Sequence, residues 1–381
     1  MLAAATAVAP LLMQMYLPAL PSIARHFEID AASAQLTFSA FVFAVGPAQL
    51  VYGPISDWVG RRNTALLSLG ISLLGSFLAA VATDLSALII ARVIQGLGGA
   101  GGLVVSRAVL SDRYGAQGMA SRLSMVITVI VVVPMVAPMI GGLLTVEFGW
   151  RSVFIAASAY IAIVWTLVFA TLPETRSDVG EREPFVAGVM RLFSKPVFAA
   201  LAVQSALTMS AFYVFISIVP YLLEDVLGYP PTAYGRFFIM LAGSYMTGTL
   251  ISSRIASQLG MYRMIALGAW LALAASSVMV VLHWQLGINA WGLFAPMAML
   301  AFANGLSSPS MQSAAVLQTK NYAGTASGVI GCLQQLTAGL SIQLVSLGGL
   351  NTAQPLTGFI LGTCVIVALI TLLLARNKDK L

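Results

Sequence analysis

The chain has 381 residues, of which 32 are charged (19 Lys and Arg, 13 Asp and Glu) and 59% are hydrophobic. Its mean hydropathy is +0.93. A soluble chain of this length would carry about 95 charged residues, because ordinary domains are about 25% charged. The composition therefore excludes an ordinary soluble enzyme, a disordered tail and a disulfide-rich secreted scaffold. It predicts an all-α membrane protein with short loops, because a helix satisfies its own backbone hydrogen bonds in lipid.

The bulk charge and the cysteines predict neither a nucleic-acid partner nor a cofactor. The net charge is +6, but the basic residues are scattered along the chain. Cys332 and Cys364 both lie in apolar segments, which predicts no disulfide framework and no metal cluster. The chain is apolar from its start, with no basic stretch or small-residue cleavage site, so we expect its first apolar run to be a retained span.

Apolar runs long enough to cross a bilayer recur along the whole chain. Twelve spans of about 20 residues would need about 240 residues, which agrees with the apolar content. A polar stretch, 173–196, holds eight of the charges. It predicts an N-terminal six-helix bundle (1–172), a cytoplasmic linker (173–196) and a C-terminal six-helix bundle (197–381). The predicted spans are 2–21, 34–52, 64–82, 86–107, 123–144, 152–172, 197–220, 235–252, 264–282, 289–311, 325–347 and 356–375.

The basic residues also predict the orientation. If the N-terminus is inside, fifteen Lys and Arg residues are cytoplasmic, whereas Arg25, Arg151 and Arg236 lie outside and Arg92 lies within a span. Cytoplasmic loops are enriched in Lys and Arg, so we expect both termini to be cytoplasmic.

The loops that follow the second span of each half are similar in sequence. Ile55 and Gly60 match Ile255 and Gly260, at an offset of 200 residues. Parallel six-helix repeats are typical of transporters that rock two bundles against each other.

The most specific stretch follows span two and reads GPISDWVGRR, from Gly53 to Arg62. Its glycines and proline allow a tight turn, and Asp57 could sit at a helix start, where the helix dipole favours an anion. Arg61 and Arg62 could pair with Asp57 and latch one face of the protein in one state. The alternative is an ordinary turn that follows the positive-inside rule.

This stretch resembles the G-x-x-x-D-x-x-G-R-R motif of the major facilitator superfamily, with Gly53, Asp57, Gly60, Arg61 and Arg62 at its fixed positions. Met15–Pro21, MYLPALP, resembles a signature of the Bcr/CflA drug-resistance subfamily. Two further stretches resemble the span-four motif and the span-five antiporter motif of the superfamily. The first contains Arg92, Gln95 and Gly96, and the second contains Pro138, Gly141 and Gly142.

The resemblance implies a major facilitator fold of twelve spans in two bundles, in the bacterial cytoplasmic (inner) membrane. It implies a transporter rather than an enzyme: a monomer in the lipid bilayer that exports small, moderately hydrophobic molecules, such as drugs, in exchange for protons by alternating access. A membrane-embedded enzyme would need a catalytic constellation, and the sequence offers none.

One position departs from the subfamily. Its members usually carry an acidic residue just before the MYLP signature, and this chain has Gln14. A carboxylate inside a span is the natural proton carrier, and glutamine cannot titrate. Three explanations stay open: coupling through an acid near a span end, such as Glu224 or Asp225; a protein that is not proton-coupled; or an engineered substitution. The alternative function is a more specific exporter or an uncoupled facilitator of an anionic or polar metabolite.

Arg92 is the one basic residue that we place within a span and away from its ends. It lies six residues, or about 9 Å, from the outer end of span four, at a depth similar to that of Gln14. An intramembrane charge is costly unless it is partnered or hydrated. We expect Arg92 to contact Gln14 or an anionic or polar substrate, or to respond to protonation elsewhere in the protein. The structural alternative is an arginine bonded to backbone carbonyls and water.

Polar and aromatic side chains at helical spacing predict a mostly apolar cavity with a few polar anchors. Hydrogen bonding between helices is the alternative for each of them. With Gln14 and Arg92, the candidates are Tyr16, Phe38, Phe41, Gln49, Gln204, Thr208, Phe212, Tyr213, Asn304, Gln334 and Gln335.

Overall fold

The computed structural model describes residues 1–175, 190–318, 323–349 and 352–375, with the backbone alone for 111, 114–131, 323 and 324. The regular structure in these residues is helical, as predicted. The helices are α1 (Leu2–Gln14), α2 (Leu20–His26), α3 (Ala31–Val59), α4 (Arg61–Ala80), α5 (Leu85–Phe148), α6 (Arg151–Thr171), α7 (Pro196–Tyr221), α8 (Pro231–Leu259), α9 (Met261–Leu286), α10 (Ala290–Leu317), α11 (Ala323–Ser346) and α12 (Gln354–Ala375).

Ten segments of the described chain are long and apolar enough to cross a membrane, and Val132–Phe148 is a shorter apolar helix. The 29-residue α8 is also long enough, but it carries Arg236 and Arg254. Together these segments form the twelve spans of the predicted all-α membrane fold. The first span is interrupted, because α1 and α2 are joined through a 3₁₀ turn at Leu17–Ala19. This span also extends to His26, beyond the predicted end at residue 21.

Helix α5 contains two spans, although its backbone is helical over 64 residues. Gly102 packs on the backbone of Ala5, and Gly141 packs on the backbone of Met15. Along α1 those two contact points are ten residues or about 15 Å apart, whereas 39 residues of straight helix would span about 58 Å. The chain must therefore turn back between Gly102 and Gly141, which gives the antiparallel spans four and five that the sequence predicts.

The chain divides into two compact units. The first unit is Met1–Glu181 with Pro230–Gly235, and the second is Arg182–Tyr229 with Arg236–Leu381. Most of the predicted linker, residues 176–189, lies outside the described residues. Its boundaries at 173 and 196 therefore stay a prediction.

A single glycine reverses the chain at the corresponding place in each half. Gly60 separates α3 from α4 with φ +98°, and Gly260 separates α8 from α9 with φ +81°. Glycine adopts this left-handed region at little cost because it lacks Cβ. The turn predicted within Gly53–Arg62 lies at Gly60, since α3 continues through Gly53 to Val59. Asp57 therefore lies in the last turn of α3 and not at a helix start.

Side chains cap three helices that follow a loop. The amides of Ser33, Ala87 and Gly292 donate to the side chains of Asp30 (2.5 Å), Asp84 (2.9 Å) and Asn289 (2.6 Å). These caps satisfy amides that the first helical turn leaves unpaired. The hydrogen bonds from Ser33 hold the pKa of the Asp30 carboxyl below its usual value.

Two acidic residues that lie beyond the predicted end of span seven, at residue 220, are part of a helix. Glu224 and Asp225 lie in a π-helical turn, Leu222–Val226, which continues α7 without a break. The turn extends span seven, and Glu224 is half-buried within it.

Candidate functional site

Arg92 lies on the span-four part of α5 and is 0% exposed. Its Nη1 donates to Oε1 of Gln95, and its Nε donates to the carbonyl of Thr37 at 3.4 Å. The rings of Tyr16 and Phe41 both have centroids 4.2 Å from its Cζ. Cation–π contacts of this kind stabilise a desolvated guanidinium. The structure thus brings three of the predicted residues, Gln95, Tyr16 and Phe41, around Arg92, and Thr37 is a partner that sequence reasoning missed.

Gln95 is held in one orientation from its other side. Its Nε2 donates to Oγ of Ser76 at 2.7 Å, and Ser76 donates to the carbonyl of Ser72 at 2.8 Å. The amide oxygen of Gln95 is therefore directed at Arg92. Its neighbour Gly96 packs on the carbonyl of Phe41, where a Cβ would have no room. The span-four motif joins α5 to both α3 and α4.

The expected pairing of Gln14 with Arg92 is not formed. Gln14 is the last residue of α1 and is 5% exposed. Its Oε1 and the Nη2 of Arg92 each lack a hydrogen-bond partner among the described residues. Phe38 is fully buried in α3, and Gln49 is half-buried in the same helix.

A second cluster, which we call the gate cluster, surrounds Arg61 at the start of α4. Arg61 is 4% exposed. Its Nη1 donates to Asp57 at 2.6 Å and to Oγ of Ser56 at 2.6 Å, and its Nε donates to Asp112 at 2.8 Å. The predicted pairing of Asp57 with Arg61 is confirmed. Asp112, which the sequence placed in a loop after span four, completes the compensation of this buried charge.

The backbone of the same turn is held by Glu174. Its carboxylate accepts the amides of Arg61 (2.8 Å) and Arg62 (3.2 Å). The guanidinium of Arg62 donates to the carbonyl of Phe169 at 2.8 Å and lies over its ring, 5.2 Å from the centroid. The gate cluster thus fastens the turn at Gly60 to the segment after α6. Gly53 lies one helical turn before Asp57, with no atom near its missing Cβ.

The span-five motif lies in the second span of α5. Pro138 is inside this helix. Gly141 packs on the backbone of Met15, and Gly142 packs on Pro231, which belongs to the first unit. Neither glycine has room for a larger side chain without a shift, so the motif places α5 in close contact with the end of α1.

In the second unit, α7 connects to two helices through polar pairs. Gln334 donates to Oγ of Ser205 at 2.7 Å, and Gln335 donates to the hydroxyl of Tyr213 at 3.4 Å. These contacts join α7 to α11. Gln204 donates to Thr371 of α12 at 3.1 Å, and Thr208 donates to the carbonyl of Gln204. The ring centroid of Phe212 lies 6.4 Å from that of Phe238. Asn304 is buried in α10.

The fold and these clusters define a polytopic membrane transporter, and comparison with known proteins gives its family. The model of the Major Facilitator Superfamily matches residues 2–342. The chain belongs to this superfamily, whose members carry small molecules and are not enzymes.

Curated relatives match the chain over nearly its full length. It is 27% identical over 372 residues to "Multidrug resistance protein D" of Escherichia coli, covering 96% of this chain and 93% of the relative. It is 24% identical over 378 residues to "Bicyclomycin resistance protein homolog" of Haemophilus influenzae, covering 97% and 94%. The predicted likeness to the Bcr/CflA drug-resistance group is confirmed.

Solved transporters share the fold at low identity. A bacterial homolog of the human lysosomal transporter Spinster has a TM-score of 0.76 at 17% identity, covering 98% of this chain and 96% of its own. The xylose transporter XylE from E. coli has a TM-score of 0.75 at 13% identity, covering 98% and 95%.

Proposed function

We propose that this protein exports small, moderately hydrophobic molecules, such as antibiotics, across the bacterial cytoplasmic membrane in exchange for protons. The observation that carries the proposal is its full-length similarity to relatives named for multidrug and bicyclomycin resistance. The protein works as a monomer with both termini in the cytoplasm, and the excess of Lys and Arg on that side supports this orientation.

Half-buried side chains of the second unit support a drug-binding role. Phe212, Tyr213 and Gln334 combine aromatic surface with amide and hydroxyl groups on neighbouring helices. A mostly apolar lining with a few polar anchors suits ligands of moderate hydrophobicity. In the first unit, Tyr16 and Phe41 are fully buried against Arg92. They therefore position Arg92 and do not line the substrate cavity.

Proton exchange needs a titratable group, and Gln14 does not supply one. Among the described residues, the buried charged side chains are Arg61 and Arg92, and no carboxylate is fully buried. Glu224 is the half-buried acid in the π-helical turn of α7, whereas its neighbour Asp225 is exposed. We assign the proton to Glu224, because it is a half-buried acid at the end of a span and an acid within a span marks a proton pathway.

The test is bicyclomycin transport by the full chain in proteoliposomes with an imposed pH gradient. The wild type should accumulate the drug against its gradient while protons move in the opposite direction. Glu224→Gln should abolish gradient-driven accumulation and leave downhill exchange, and the exposed neighbour Asp225→Asn is the matched control. If the drug moves only down its own gradient and no protons move, the proposal of proton exchange is wrong.

A second candidate function is uncoupled transport of an anionic metabolite. It is favoured by Gln14 in place of an acid and by the neutral partners of Arg92. Restoring an acid distinguishes the two candidates. Gln14→Asp should make transport more dependent on the pH gradient if span one can carry a proton. It should weaken transport of a carboxylate substrate if Arg92 binds that substrate.

A further inference from the structure

Among the described residues of the first unit, Arg61 and Arg92 are buried, and their charges are compensated in different ways. Arg61 has two carboxylates, Asp57 and Asp112, on its guanidinium. Arg92 is more deeply buried, and each of its hydrogen-bond partners in the described chain is neutral: the Gln95 amide and the Thr37 carbonyl. A buried charge without a counterion is strongly unfavourable, and neutral hydrogen bonds reduce this cost without cancelling the charge. Arg92 therefore differs from Arg61 in that its hydrogen-bond partners among the described residues include no carboxylate.

One polar edge of Arg92 has no hydrogen-bond partner among the described residues. Nε and Nη1 are used by Thr37 and Gln95, and the rings of Tyr16 and Phe41 lie against the guanidinium carbon. Nη2 carries two N–H donors, is fully buried and has no hydrogen-bond partner among the described residues. Donors of this kind, attached to a full positive charge, form their strongest hydrogen bonds with anions.

We propose that Nη2 of Arg92 binds a small monovalent anion of the halide class, which serves as the resident counterion of the first unit. One unit of negative charge balances one guanidinium, and a spherical halide can accept both N–H groups of Nη2. The anion takes the place of the acid that Gln14 does not supply. This role is separate from the cargo, so it goes beyond the proposed export function.

A substitution at Gln95 can replace the anion with a carboxylate of the protein itself. Gln95 is held by Ser76 so that its amide oxygen is directed at Arg92. Gln95→Glu has nearly the same shape and would place a carboxylate on Nη1. This variant should therefore no longer depend on a bound anion, whereas Arg92→Gln removes the charge that attracts it.

The test is thermal unfolding of the detergent-solubilised full chain in sodium chloride and in sodium gluconate at equal ionic strength, so that screening of surface charges is the same. We expect chloride to raise the unfolding midpoint of the wild type by about 2–4 °C. Gln95→Glu should have a higher midpoint than the wild type in gluconate and should lose the chloride-dependent shift. Arg92→Gln should lose the shift as well.

Gln285→Glu, at an exposed position near the end of α9, makes the same chemical change and should retain the shift. Where Arg92→Gln does not fold, the comparison of Gln95→Glu with Gln285→Glu carries the test. A wild type without a chloride shift overturns the proposal, and so does a shift that persists in Gln95→Glu. Sodium formate is the probe for a carboxylate: stabilisation by formate and not by chloride would assign Nη2 to a carboxylate cargo instead. No transport is measured, so the result is independent of the export reaction.

Discussion

The carboxylate of Glu174 accepts a hydrogen bond from the backbone amide of Arg61 at 2.8 Å, although 113 residues separate them. It also accepts the amide of Arg62 at 3.2 Å. These are the first two residues of α4, and a helix start with no cap from its own segment benefits from an anion placed there. The carboxylate thereby connects the chain after α6 to the turn between α3 and α4.

We expect Glu174→Ala to destabilise the protein by about 0.5–1 kcal/mol, the cost of losing a cap at a helix N-terminus when the capping group is exposed. Thermal unfolding in detergent measures the change. Glu147→Ala is the matched control, because it removes an exposed acid near the C-terminal end of α5. Equal midpoints for the two variants would show that the Glu174 contact contributes nothing to stability.

Gly60 allows separate tests of its backbone conformation and its contact with Glu174. Gly60 (φ 98°, ψ 158°) and Gly260 (φ 81°, ψ 153°) share a conformation that is essentially reserved for glycine, so alanine at either position costs about 1–3 kcal/mol. At Gly60 the new Cβ would also lie 2.8 Å from Cδ of Glu174, whereas at Gly260 nothing lies within 4 Å. We therefore expect Gly60→Ala to lower the unfolding midpoint more than Gly260→Ala.

The difference should shrink in a Glu174→Ala background, because the steric conflict is then removed. Gly53→Ala should instead be neutral or stabilise by about 0.5–1 kcal/mol, since this glycine is helical and has open space around it. A Gly53→Ala variant as unstable as Gly60→Ala would contradict the helical assignment of Gly53.

The compensation of Arg61 predicts energetic coupling between Arg61 and Asp112, which lie 51 residues apart in the chain. Asp112→Asn removes one of the two carboxylates, and because hydrogen bonds to charged groups contribute about 1.5–3 kcal/mol, we expect a loss of about 2 kcal/mol. Transport should slow as well, if the gate cluster latches one state. The double variant Arg61→Gln, Asp112→Asn should be less destabilised than the sum of the single variants. Additive losses in that cycle would mean that the contact at 2.8 Å carries no interaction energy.

The sequence predicts the helical fold well because spanning helices need long apolar runs, which can be counted directly. It also singles out Arg92, Gln95, Tyr16 and Phe41 as candidates, but it pairs Arg92 with Gln14 and predicts that the two aromatic residues line a cavity. Only the packed structure shows that Gln95 and the two rings surround Arg92. Thr37 and Ser76 could not be found in this way. Small hydroxyl residues occur throughout these helices, and only the packed structure shows which of them meet Gln95 or Arg92.

The errors at the gate cluster have a physical origin. The glycines and proline of Gly53–Arg62 indicate a turn, but one glycine with positive φ is enough to reverse the chain, so the helix continues through Asp57 to Val59. Glu174 lies in a charged stretch that composition identifies as a linker. Its capping role depends on a contact over 113 residues, which no local pattern contains.

The glycine run of span four provides a last prediction, about helix packing. Gly102 faces the backbone of α1, and a Cβ there would lie 2.8 Å from the carbonyl carbon of Ala5 and closer still to its oxygen. Backbone cannot move aside as a flexible side chain can, so Gly102→Ala should destabilise by about 1–3 kcal/mol, as overpacking does. Gly99→Ala is the control on the same helix, because its Cβ would make an ordinary contact with Ala9 at 3.5 Å. It should be tolerated or even stabilise, since alanine favours a helix by about 0.8–1 kcal/mol over glycine. Unfolding midpoints in one detergent measure both variants. If Gly102→Ala were as stable as Gly99→Ala, span four could not pack against α1 as closely as the structure shows.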